Sequence, residues 1–117
     1  MIGLRGEVRV LVASRPIDFR RGVHGLVALV AQALNGDPWC GDIFVFRSKR
    51  KDRIKLIVWD GSGMVLVTKW LEDGSFVFPP VQDGAMVLTA TQLSVLLAGL
   101  DWTRGVGTPV KRPSKIA

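Results

Sequence analysis

Apolar residues recur along this chain with two different periods, and the changes of period mark its elements. From Val8 to Ala13 a run rich in β-branched residues predicts a strand, closed by Arg15-Pro16. Val23, Leu26, Val27, Val30 and Leu34 then fall at i, i+3, i+4, i+7 and i+11, a single apolar stripe on a helix. Asn35-Gly36 and Asp37-Pro38 stop that helix, because neither pair continues helical backbone well.

The period then drops to two. Strands are predicted over residues 42–48, 53–59 and 64–71, joined by the polar stretch Lys49 to Asp52 and by Asp60-Gly61-Ser62-Gly63. Asp73-Gly74 marks another tight turn, and Ser75 to Phe78 is expected to return as a short strand before Pro79-Pro80. Ala85 to Leu88 reads as one more short strand. Thr89-Ala90-Thr91-Gln92 has the spacing of a capping box, in which each side chain bonds the other residue's backbone N–H. Leu93, Leu96, Leu97 and Leu100 line one face of the helix it opens, and Gly99 loosens that helix near its end.

The sum is an α+β fold, an antiparallel β-meander sheet of about five to six strands packed with two helices. Connections between the strands of 42–78 are too short for parallel crossovers. Residues 1–102 form a single domain, and the 48% apolar content supplies its core. Residues 103–117 carry two glycines, two prolines and four bases without an acid, the composition of a flexible basic tail.

Charge alters the picture because it is local. Residues 1–55 hold eleven basic and five acidic side chains, while residues 56–117 hold five of each, so the whole net charge of +6 lies in the first half. A basic patch of this kind attracts phosphate polyanions and releases their counterions. Its densest part is the hairpin Arg47, Lys49, Arg50, Lys51, Arg53 and Lys55, with Asp52 its one acid. Alternation along a strand puts Arg47 with Lys49 on one side and Arg53 with Lys55 on one side. Like charges facing each other across a sheet repel, and a bound anion would neutralise them. A two-stranded ribbon also fits the major groove of duplex DNA. The other reading is a solvated edge whose lysines oppose aggregation. Arg20-Arg21 and Arg15, beside the first helix, extend the same patch unless an Asp18–Arg pair neutralises the helix entry.

Tryptophan offers base stacking as a further signal. Trp59 and Trp102 sit in apolar surroundings and read as packing residues. Trp70, between Lys69 and Leu71, reads as exposed and is the candidate residue for docking on a protein partner. Catalysis finds little support. His24 is the only histidine and has no ligand partner at metal spacing. Cys40 is the only cysteine, which rules out an internal disulfide and suits a reducing cytoplasm. Asp60, Glu72, Asp73 and Asp101 read as turn residues and not as a convergent carboxylate site. No metal and no cofactor is expected. No run of about 18 apolar residues suggests a membrane span, and the first residues lack the apolar stretch of a secretory signal.

Several segments together resemble a family. They are Val8-Arg9-Val10, Asp18-Phe19-Arg20-Arg21-Gly22 with Gly25-Leu26, Phe44-Val45-Phe46-Arg47, Asp52-Arg53-Ile54-Lys55 and Trp59-Asp60-Gly61-Ser62-Gly63. Lys69, Leu71-Glu72, Gly74, Phe76, Pro79, Gln92-Leu93, Leu96-Leu97 and Gly99-Leu100-Asp101-Trp102 continue the series. In order and spacing the chain resembles the TnpB accessory protein of the IS-sixty-six type of insertion sequence, its second reading frame product, over about residues 8–102. This TnpB is unrelated to the RNA-guided nuclease of the same name. His24, Trp70 and Phe78 depart from the family's usual residues. The resemblance implies a non-enzymatic helper of DNA transposition, working beside a separate transposase and other element-encoded proteins. DNA contact through Arg20, Arg21 and the hairpin is the leading expectation; an adaptor role on the transposase, using Trp70, is the alternative.

Overall fold

The computed structural model describes residues 8–78 and 85–104. Five strands form one sheet in the order β4-β3-β2-β1-β5: β1 Val10–Ala13, β2 Ile43–Arg47, β3 Arg53–Trp59, β4 Met64–Trp70 and β5 Ala85–Leu88. Helix α1 covers Val23–Ala33 and α2 covers Ala90–Leu97; a 3-10 turn, Trp102–Arg104, follows. The α+β class is as expected, but the sheet is not antiparallel throughout. β2, β3 and β4 follow one another antiparallel, whereas β1 lies parallel to β2, with Val10 opposite Ile43. The connection through α1 is long enough for that crossover, which the short links after residue 42 are not. β5 closes the far side antiparallel to β1.

Residues 71–78 do not form the short strand expected at Ser75 to Phe78. Gly74 takes a positive φ of 83°, and Phe76 N–H bonds Lys51 O at 2.6 Å, so this segment folds back under the β2–β3 connection without joining the sheet. The expected basic tail lies outside the described residues apart from Thr103 and Arg104, which continue the 3-10 turn beyond the expected boundary at residue 102.

Alternation along the strands makes two cores. Val10, Val12, Val45, Ile54, Leu56 and Leu88 meet Leu96 of α2, Phe76 and Trp102 on one face. Ala13, Phe44, Phe46 and Ile57 meet Leu26 and Val30 of α1 on the other. The sheet is therefore covered on both faces, which explains the nearly continuous apolar runs of β2 and β3. Trp102 is buried and its indole N–H donates to Val77 O at 2.7 Å, the packing role its sequence context indicates.

The expected capping box is formed. Gln92 N–H donates to Thr89 Oγ1 at 3.0 Å, and Thr89 N–H donates to Gln92 Oε1 at 2.9 Å. Thr89→Ala removes one of these bonds from an eight-residue helix and is expected to cost about 1 kcal/mol. Urea denaturation checks this, and an unchanged midpoint would show that the cap contributes nothing.

Candidate functional site

The β2–β3 turn and the loop before α1 are distant in sequence but adjacent in space. Ile17 forms a parallel bridge with Ser48, and its N–H donates to Arg47 O at 2.8 Å. Lys55, on β3, makes the second tie. Its ammonium donates to Phe19 O at 2.6 Å and to Arg21 O at 2.9 Å, and sits 4.4 Å from the centre of the Phe19 ring. Between turn and loop lies an open cleft of about 490 Å³, whose walls include Asp18, Arg20, Lys49, Arg50 and Arg53. The two basic clusters visible in the sequence are thus one surface.

The sequence-predicted residues divide by what they do within it. Lys49, Arg50 and Lys51 are exposed at the tip of the turn, and Arg21 is exposed beside the loop. Ser48 helps shape the tip by donating its hydroxyl to Arg50 O. Arg20 is exposed but paired: its Nε and Nη2 donate to Asp18 at 3.1 and 2.7 Å, and its backbone N–H donates to Asp18 at 3.0 Å. These hydrogen bonds from Arg20 hold the Asp18 carboxyl well below the usual carboxylate range, so it stays charged and offsets Arg20.

Arg47, Arg53 and Lys55 are engaged with the protein itself. Arg47 is only 9% exposed; its guanidinium lies 5.0 Å from the Phe78 ring centre, and Nε has no hydrogen-bond partner among the described residues. Burial pushes its pKa down. Arg53 stacks 4.1 Å from the Trp70 ring centre, with Asp52 at 3.6 Å. Across β2 and β3, Arg47 faces Ile54 and Phe46 faces Lys55, so the bases do not oppose one another as the sequence suggested. Nor is the hairpin a free ribbon, because β4 pairs along the whole of β3. Only the tip stands clear of the sheet.

Trp70 is 61% exposed, as its sequence context indicates, with Leu66 and Val67 exposed near it on β4. Sequence reasoning missed that Trp70 lies opposite Arg53 and shares its face. It also missed Phe19 as the ring beneath Lys55. Neither relation has a local signal, since each joins residues that only the sheet register and the crossover bring together.

The carboxylates considered for catalysis have structural roles where their bonds are described. Asp60 Oδ1 accepts from Ser62 N–H, Ser62 Oγ–H and Gly63 N–H at 2.8–3.0 Å, and these bonds lower its pKa. Asp101 Oδ1 accepts from Thr103 N–H at 2.9 Å. No helix among the described residues is long and apolar enough to cross a membrane.

Comparison with known proteins gives this geometry a context. Residues 8–106 match the family described as IS66 Orf2 like protein. Two proteins of Sinorhizobium fredii (strain NBRC 101917 / NGR234) are similar to the chain. One, the uncharacterized protein y4jC, is 62% identical over 117 residues, the whole of both chains. The other, the uncharacterized protein y4hO, is 39% identical over 110 residues, 94% of each chain. No solved structure matches.

Proposed function

Because the chain belongs to the IS66 Orf2 like family, which implies a transposition-associated accessory protein, we propose that it serves transposition without catalysis, holding duplex DNA by its phosphates. The contact surface is the turn tip Lys49, Arg50 and Lys51, with the adjoining cleft and Arg21. One observation carries this reading: bases from two distant segments are brought to a single open cleft by the Ile17–Ser48 bridge and the Lys55 tie. Lys49, Arg50 and Lys51 extend into solvent, where a phosphate backbone reaches them without a change of fold. Such contacts position a protein on DNA and carry little sequence information. A helper that works beside a separate transposase needs no more than that.

The test is duplex binding by the full chain at two salt concentrations. Each phosphate neutralised adds about 0.9 to the slope of log affinity against log salt, so three to four contacts give a slope of about 3. Absence of binding at low salt, or binding indifferent to salt, rejects the proposal. Capture of the element's transposase by a chain that binds no DNA would establish the adaptor role instead.

A further inference from the structure

We infer that β4 is the pairing edge of a symmetric dimer, in which the β4 strands of two copies of this chain join antiparallel about a twofold axis at Val67. This edge adjoins the basic cleft, since Arg53 of the cleft wall stacks on Trp70, but the inference does not depend on DNA binding.

β4 is the outer strand of the sheet and has no neighbour beyond it among the described residues. Outer strands normally carry features that oppose further pairing, such as shortness, proline, a bulge or outward-reaching lysines. β4 has seven residues, contains no proline, and pairs with β3 without interruption from Trp59–Met64 to Arg53–Trp70. Its only lysine, Lys69, is drawn away: the ammonium donates to Leu97 O at 2.6 Å, at the end of α2. Both faces of the strand carry exposed apolar side chains, Leu66 at 38% and Trp70 at 61% on one, Val67 at 43% on the other. A solvated edge would show a polar face; apolar residues on both faces suit a strand in the interior of a sheet.

The hydrogen bonding restricts the axis to a residue position, and the side chains then favour Val67. Asp60 N–H donates to Gly63 O at 3.1 Å, and Leu71 N–H donates to Asp52 O at 2.9 Å. Hydrogen-bonded pairs alternate along an antiparallel ladder. Val65, Val67 and Lys69 therefore direct their backbone groups to β3. Met64, Leu66, Thr68 and Trp70 direct theirs outward. With the twofold axis at Val67, Leu66 of one copy meets Thr68 of the other, and Met64 meets Trp70, so the outward groups bond one another. The thioether of Met64 then approaches the Trp70 indole, a favourable contact. Lys69 faces Val65, and no like charges oppose. Shifting the axis to Lys69 would set two ammonium groups opposite each other. Pairing β4 with the four-residue β5 would leave open ends and generate filaments, whereas β4 with β4 closes.

Sedimentation equilibrium of the full chain without DNA is expected to show twice the chain mass of 12.8 kDa. Val67→Lys sets two charges opposite at the axis and is expected to return the mass to that of one chain, with circular dichroism still that of a folded chain and a melting temperature that no longer depends on chain concentration. Register has its own check in a Cys40→Ser background, where serine keeps an acceptor for the Asp42 N–H. The central pair is not hydrogen-bonded, so its Cα atoms lie about 4.5 Å apart, within disulfide reach. Val67→Cys is therefore expected to cross-link with diamide. Leu66→Cys is not, because diagonal neighbours lie about 7–8 Å apart. A single-chain mass at high-micromolar concentration overturns the inference, as does a dimer that persists in Val67→Lys or cross-links better through Leu66→Cys.

Discussion

Alanine at Lys49, Arg50 and Lys51 together is expected to lower affinity for duplex DNA roughly a hundredfold at low salt, taking roughly 1 kcal/mol for each phosphate contact. The salt slope falls by about 2.7, so between about 50 and 200 mM salt the native chain loses about fortyfold more affinity than the variant. Stability is unaffected, because all three side chains are exposed at the turn tip. Arg47→Met supplies the contrast. Arg47 is buried beside Phe78, and an apolar side chain of similar length suits that position without an unpaired charge. Its DNA affinity is expected to stay within about twofold of native, well short of the tenfold that a 1.4 kcal/mol contact represents. Fluorescence anisotropy on one duplex at several salt concentrations measures both. Equal losses from Arg47→Met and from a single tip substitution would mean that Arg47 reaches the phosphate after all.

That contrast shows how much of the site was legible in the sequence. The concentration of bases from Arg47 to Lys55 is plain from composition, and so is its neighbour Arg20-Arg21. Which of them remain available to a ligand depends on register. Arg47 lies on the face covered by Phe76 and Phe78 because Val45 does, and Phe46 takes the opposite face with Lys55. A one-residue shift would reverse every one of these assignments. Local signals fared better where the physics is local. The Thr89–Gln92 box, the Asp60–Gly63 turn and the stop after α1 all form from neighbouring residues. The parallel β1–β2 pair was not visible. A four-residue strand reads the same whether its neighbour runs with it or against it, and the crossover through α1 decides the direction.

Lys55→Met tests the part of the site that the register reassigns. As a phosphate ligand, Lys55 would contribute affinity and about 0.9 of salt slope, with no effect on stability. The structure gives it a different task. Its ammonium bonds two carbonyls of the loop before α1 and covers the Phe19 ring. Methionine keeps the apolar stem and removes both bonds. Hydrogen bonds from a charged donor contribute about 1.5–3 kcal/mol each, and solvent recovers much of that at a partly exposed site. A net loss of about 2 kcal/mol, or roughly 10 °C in melting temperature, is expected. DNA affinity falls as well, because Arg20 and Arg21 lie on the loop that Lys55 ties to β3. The two causes separate by their signatures. Loss of the tie lowers the melting temperature and leaves the salt slope unchanged. Loss of a ligand leaves melting unchanged and lowers the salt slope by about one unit. A variant that melts like the native chain while losing that unit of slope would return Lys55 to the DNA-contacting set and leave the Ile17–Ser48 bridge among the contacts that hold the loop.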